Sequence, residues 1–525
     1  MKQVEIYDTT LRDGAQSEGI SFSVNDKLKI CGKLAEIGVH YIEGGWPGAN
    51  PKDMEFFKKA QSSGICGRSK LVAFGSTCKA GAKASQDAVL KGLLSADTDY
   101  ITIFGKTWDL HVTDVLKADL SENLRIIGDS IKFLKSKGKT VFFDAEHFFD
   151  GYDSNPEYAM KALAAAEDAG AERIILCDTN GGAVTSRVFE VVESVRKVIK
   201  VPLGIHAHND SEMAVANSIA AIQAGCLQVH GTINGYGERC GNANLISIIA
   251  NLKLKLGTEC VSSLALTELT EVARFVAEIC NMKLSDNQPF VGESAFAHKA
   301  GVHINAILKN SKTYEHVDPH LVGNRRRLLI SELSGRSTIL KRAQDLDLDL
   351  DKDGEQSKKI LQVLQDLENK GYHFEAAEAS LELLMKRVLK KFKDFFDLAE
   401  FRVLIEKKKG GKMSSEATIK LKVGGEIEHA ASIGDGPVNA LDSALRKALK
   451  KFYPKVAEMH LTDYKVRVLD EKQGTAARVR VLVQSQDKDD SWWTIGVSEN
   501  IIDASWQALV DSVEYKLLKD SEKRS

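Results

Sequence analysis

Residues 140–178 read TVFFDAEHFFDGYDSNPEYAMKALAAAEDAGAERIILCD. Two β-branched and aromatic runs, Thr140–Asp144 and Arg173–Cys177, flank Pro156–Ala169, whose apolar residues recur at helical spacing. Strand, helix and strand in that order make a parallel crossover unit. The same alternation extends outward in both directions. Further strand candidates are Val4–Tyr7, Val39–Glu43, Leu71–Phe74, Tyr100–Phe104, Leu203–His206 and Gln228–Thr232. Helical patterns follow at Asn25–Ile37, Pro51–Ser62, Ala80–Ser95, Ser121–Ser136, Val184–Ile199, Ser211–Ala224 and Ala243–Leu256. Eight such units in about 250 residues predict an α/β protein led by a (β/α)₈ TIM barrel, with a catalytic domain over residues 1–285. An open doubly wound sheet fits less well, because no G-x-G-x-x-G fingerprint follows the first strand.

Composition narrows the function classes. The chain has 525 residues, 43% apolar and 27% charged, enough for a large core without disulfides. Its 71 basic and 73 acidic side chains leave a net charge of −2. That balance gives no footprint for nucleic acid and no attraction to anionic membrane. Eight scattered cysteines, none in a C-x-x-C pair, read as reduced thiols in a cytoplasmic compartment. The first residues enter a strand pattern at once, with no signal segment, and no apolar run approaches the roughly 20 residues of a membrane span. A soluble enzyme is the expectation.

In such barrels the chemistry sits at the carboxyl ends of the strands. The polar residues there are Asp8, Arg12 and Asp13, then Glu43, Lys106, Glu146, Asp178 with Thr179, His206 with His208, and Asn234. His206-Ala207-His208 is the sharpest local signal. On an extended segment both imidazoles project to one side, and two imidazoles with the Asp13 carboxylate suit a divalent ion. Imidazole and carboxylate ligands are compatible with Mg²⁺, Mn²⁺ or Zn²⁺. Asp349–Gly354 imitates the start of an EF-hand loop, but position twelve is Ile360 rather than Glu, so it reads as an acidic connector.

Together the motifs resemble one family. Asp8–Gln16 (DTTLRDGAQ) looks like the signature of the DRE-TIM metallolyases. His206–Asp210 (HAHND) and Gly235–Asn242 (GYGERCGN) look like those of its Claisen-condensing, isopropylmalate synthase-like branch. Glu43–Asp53 and Phe104–Val112 resemble the citramalate-forming members. The resemblance implies a metal-dependent acyltransferase condensing acetyl-CoA with pyruvate and water, giving (R)-citramalate and CoA. It implies metal ligation by Asp13, His206, His208 and Asn242. Arg12 would meet the keto oxygen and Thr179 the substrate carboxylate. Glu146, His303 and Tyr314 match catalytic positions, and the base among them stays open. In relatives the segment carrying His303 and Tyr314 reaches the neighbouring protomer, which implies a homodimer. Other readings are an isopropylmalate synthase using 2-oxoisovalerate, a retro-Claisen lyase, and an inactive amino-acid-sensing dimer.

Beyond Ser285 the alternation stops. Residues 286–395 read as helical linker subdomains, with helices at His298–Leu308, Ile330–Ala343, Ser357–Asn369 and Glu375–Phe392 and a loop-rich stretch at Tyr314–Arg327. Residues 396–525 contain a repeat. Strands Ala417–Val423 and Ala430–Ile433 precede a helix, and about 62 residues later strands Ala477–Gln484 and Trp492–Ile495 precede another. This α+β module resembles the allosteric domain of isopropylmalate and citramalate synthases, which implies a dimer domain that binds isoleucine as feedback effector.

Overall fold

A computed structural model describes residues 3–329, 354–407, 409, 411–469 and 477–522. The chain forms two compact units, Met1–Phe296 with His316–Arg326, and Ala297–Glu315 with Arg327–Ser525.

In the first unit β1 (Glu5–Asp8), β2 (Tyr41–Gly45), β3 (Lys70–Ser76), β4 (Tyr100–Lys106), β5 (Thr140–Glu146), β6 (Arg173–Asp178), β7 (Leu203–Ala207) and β8 (Gln228–Gly231) close into the expected barrel. β1 pairs with β8 from Glu5 opposite Gln228 to Asp8 opposite Gly231. Local signals fix where strand gives way to helix. Ser23 and Asp26 form a reciprocal capping box for helix Val24–Glu36, and Asn50 and Asn155 cap helices that begin with Pro. Strand side chains alternate: Tyr7, Tyr41, Val72, Phe142, Ile175 and Cys177 pack together, while their neighbours join the larger core under the helices. The barrel interior is thus filled with side chains, which leaves the rim for ligands.

Three α-helices of this unit, Phe148–Ser154, Ser263–Thr267 and Leu269–Ile279, were not legible as separate elements. Phe148–Ser154 is a short helix of about two turns after Glu146, and Leu269–Ile279 buries Leu269, Val272, Ala273 and Val276 beyond the last barrel helix.

The second unit begins with helix Gly301–Lys309 and a parallel pair, β9 (Ala297–His298) with β10 (Arg327–Leu328). Helices Glu355–Asn369 and Glu378–Val388 follow. The helix expected at Ile330–Ala343 and the acidic residues Asp349–Asp353 lie outside the described residues. Ile360 is fully buried among Leu364, Phe374 and Leu381, a core position rather than a ligand position.

The repeat is larger than its sequence pattern indicated. Each copy has three antiparallel strands and a helix: β11 (Asp397–Lys407), β12 (Met413–Val423) and β13 (Glu426–Gly434) with Pro437–Leu449, then β14 (His460–Val468), β15 (Val479–Gln486) and β16 (Ser491–Ser498) with Ile501–Glu522. The unexpected strands, β11 and β14, are sheet edges with mostly exposed residues. An edge strand tolerates charge on both faces, so the clean alternation of the central strands is missing.

Candidate active site

The first candidate ligand, Asp13, is placed by a tight turn. Thr10 donates its backbone N–H to Asp8 Oδ1 at 2.8 Å, and the N–H groups of Arg12, Asp13 and Gly14 all return to the Thr9 carbonyl. Asp13 is thereby folded back over the barrel mouth. Across the mouth, β7 and its extension carry His206 and His208, whose Nε2 atoms lie 3.3 Å apart. Asp13 Oδ2 is 3.3 Å from His206 Nε2 and 4.0 Å from His208 Nε2. All three residues are buried, and theirs is the only group of this kind among the described residues.

Asn242 is brought to the same place by backbone pairing. Asn209 N–H donates to Gly241 O and Ala243 N–H to Ala207 O, which sets Asn242 opposite His208. Its Nδ2 donates to Tyr236 O at 3.3 Å, while its Oδ1 is buried without a hydrogen-bond partner. A Cβ on Gly237, at φ +156°, would sit 2.1 Å from that Nδ2, so the amide needs glycine there. Two imidazole nitrogens, a carboxylate and an orphaned amide oxygen fit a divalent cation.

The electrostatics match this donor set. Burial acts to raise the Asp13 carboxyl, but Arg12 and His206 hold it well below the usual carboxylate range. Burial and the His206 ring bring His208 down to about 4, leaving a neutral ring with a lone pair to give. Burial opposes protonation of His206, yet Asp13 outweighs it and raises that imidazole. Below them Asp144 is pushed up to about 7, chiefly by burial.

Arg12 is fixed from two sides. Its Nε donates to Glu43 Oε1 at 2.6 Å, its Nη1 lies 3.3 Å from Asp13 Oδ2, and its guanidinium lies 3.7 Å above the Phe74 ring. Glu43 in turn accepts from the Tyr7 hydroxyl at 2.7 Å. Trp46 contacts Phe74 and Phe104 edge-on, at 6.0 and 5.8 Å between centroids, and Phe74 stacks on Phe104 at 5.6 Å. These three rings wall the site beside Arg12. The Thr179 hydroxyl accepts from His147 N–H at 2.9 Å, which leaves its own proton free to donate.

Residues 3–276 match the HMGL-like family, 290–372 the homocitrate synthase post-HMGL domain-like family, and 375–517 the LeuA allosteric (dimerisation) domain. Over 523 residues, 99% of both chains, the protein is 55% identical to the (R)-citramalate synthase of Aquifex aeolicus and 56% identical to that of Geobacter sulfurreducens. The chain belongs to the (R)-citramalate synthase family. The 2-isopropylmalate synthase of Methanocaldococcus jannaschii is 32% identical, over 99% of this chain and 96% of its own. The family resemblance read from the motifs is therefore carried along the whole chain.

In this citramalate synthase family member, Glu146 ends β5 directly opposite Lys106 of β4, and the Lys106 ammonium is ion-paired with its carboxylate. Thr107 donates both its hydroxyl and its N–H to the Glu146 carbonyl. His303 and Tyr314 belong to the second unit, where their rings stack at 4.1 Å. Both are exposed. Sequence reasoning named Glu43 and Lys106 as rim residues without giving them tasks, and did not single out Asp144. Strand register was the missing signal, since it puts Glu43 under Arg12 and Lys106 beside Glu146.

Proposed function

We propose that the chain condenses acetyl-CoA with pyruvate and water to give (R)-citramalate and CoA, using the barrel rim as its catalytic centre. The observation that carries this reading is the convergence of Asp13, His206, His208 and the unpartnered Asn242 oxygen beside a prepositioned Arg12. These four residues would hold a divalent ion, which when bound supplies Lewis-acid polarisation of the keto group. Arg12 would donate to the keto oxygen and counter the negative charge that grows there as the new bond forms. Thr179 would donate to the substrate carboxylate. Glu146 is suited to take a methyl proton from acetyl-CoA, and His303 and Tyr314 are further proton-transfer groups. The acetyl carbon then bonds to the keto carbon, and water cleaves the thioester to release CoA.

Pyruvate is favoured over 2-oxoisovalerate because Trp46, Phe74 and Phe104 crowd the space beside Arg12. A thiol-release assay with acetyl-CoA and a panel of keto acids tests this, with pyruvate expected to give the highest kcat/KM. A preference for 2-oxoisovalerate in the unaltered chain overturns it. Phe104→Ala is expected to improve 2-oxoisovalerate relative to pyruvate by about tenfold or more, since opening an apolar pocket by a few methylene volumes has effects of that order.

We also infer that the C-terminal module makes a homodimer and responds to isoleucine. The match to the LeuA allosteric (dimerisation) domain supports both, and exposed Ile427, Ile433, Val466 and Val468 on its strands support the dimer. Isoleucine at millimolar concentration is expected to lower the rate of the intact chain, with leucine weaker. A rate indifferent to both amino acids would refute the effector assignment.

A further inference from the structure

Away from the catalytic rim, two cysteines face each other. Cys31 is fully buried in the middle of helix Val24–Glu36. Cys66 is partly exposed in the turn between helix Pro51–Ser63 and β3. Their Sγ atoms are 3.3 Å apart. The segments that carry them are already packed at contact distance: a Cβ on Gly32 would lie 3.1 Å from Ile65 Cγ1. The turn holding Cys66 is bounded by Gly64 and Gly67, both in left-handed conformations at φ 65° and 52°. A small movement of that turn brings the sulfurs to the roughly 2.05 Å of a disulfide.

We propose that Cys31 and Cys66 form a peroxide-sensitive dithiol that closes to an intramolecular disulfide. The Cys66 thiolate attacks one oxygen of hydrogen peroxide; an S–O bond forms, the O–O bond breaks, and the departing hydroxide is protonated to water. The Cys31 sulfur then attacks the Cys66 sulfur of the resulting sulfenic acid. An S–S bond forms, the S–O bond breaks, and the Cys31 proton leaves with the oxygen as a second water. Two thiols lose two electrons and one peroxide gains two. Access supports this division of labour, because the partly exposed Cys66 meets the oxidant while the buried Cys31 stands behind it. Acidity agrees: the Cys31 contact lowers the Cys66 thiol, whereas the Cys66 contact and burial push Cys31 up.

The bond would join residues 35 apart in sequence and tie the first helix to the turn beyond the second across the whole β2 unit. That turn leads into the amino end of β3, opposite the strand ends that carry the active site. The disulfide therefore acts on unfolding, by restricting the unfolded chain.

The full chain, purified reduced and freed of reductant, is treated with hydrogen peroxide, digested without reduction and analysed by mass spectrometry. Peptides containing Cys31 and Cys66 are expected as one joined species, lighter than their sum by two hydrogens and released by dithiothreitol. The melting temperature of the oxidised chain is expected to rise by about 5 °C relative to the reduced chain. Cys66→Ser is expected to show neither change. Recovery of Cys66 as sulfinic acid with Cys31 still a free thiol overturns the proposal, as does Cys66 joined only to the exposed Cys240 of another chain. Because the wild-type peptide map alone decides between these results, the proposal is tested even where a serine variant fails to fold.

Discussion

Asp13→Asn is expected to give a folded chain that has lost turnover by roughly 10³-fold or more, the scale set by several kcal/mol of lost charge stabilisation. Asp13 is the only carboxylate in the ligand cluster, and the two histidines beside it are neutral donors when they bind metal. An amide keeps the shape of the side chain but removes the charge that offsets a dication. Folding is expected to survive, because Arg12 keeps its Glu43 partner at 2.6 Å and the Thr9–Gly14 turn is held by backbone hydrogen bonds. His208→Ala is expected to behave in the same way. Both variants are to be compared with wild type for bound metal by atomic spectroscopy, for melting temperature, and for CoA release before and after chelator treatment. Chelation is expected to inactivate wild type, and Mn²⁺, Mg²⁺ or Zn²⁺ to restore it. Near-normal activity in chelator-treated Asp13→Asn would remove the metal assignment altogether.

What the sequence made legible follows from how directly each signal maps to geometry. The barrel was readable because its central strands are buried on both faces and carry β-branched runs bounded by helices with strong caps, as at Ser23 and Asn155. The His206–His208 pair was readable because period two is a local property of an extended chain. Non-local pairing is different. The Arg12–Glu43 pair spans 31 residues and exists only because β1 lies beside β2. The Lys106–Glu146 pair likewise depends on β4–β5 register. β11 and β14 escaped detection for a related reason: their exposure pattern reflects an edge position that only the assembled sheet defines. Sequence thus disclosed the chemistry of individual strand ends, while the contacts that aim each group came from neighbours distant in the chain.

Glu146→Gln is expected to lower kcat by about 10²–10⁴-fold, the usual contribution of a positioned general base. Glutamine keeps the length of the side chain and its place at the end of β5, where Thr107 grips the carbonyl, but it has no carboxylate to receive a proton. The KM for pyruvate is expected to change by only a few-fold, because Arg12, Thr179 and the metal ligands are untouched. Exchange of acetyl-CoA methyl hydrogens with deuterated water, followed in the presence of a non-condensing keto-acid analogue, isolates the proton-removal step from bond formation. That exchange is expected to fall in parallel with kcat. Lys106→Met removes the ion-pair partner that aims the carboxylate, and a loss of about tenfold is expected, corresponding to roughly 1.4 kcal/mol. Lys106→Arg, which restores a cation at the same register position, is expected to recover most of it. If Glu146→Gln retains kcat within tenfold while His303→Ala abolishes exchange, the proton acceptor is the imidazole of the second unit, and Glu146 has only a supporting place.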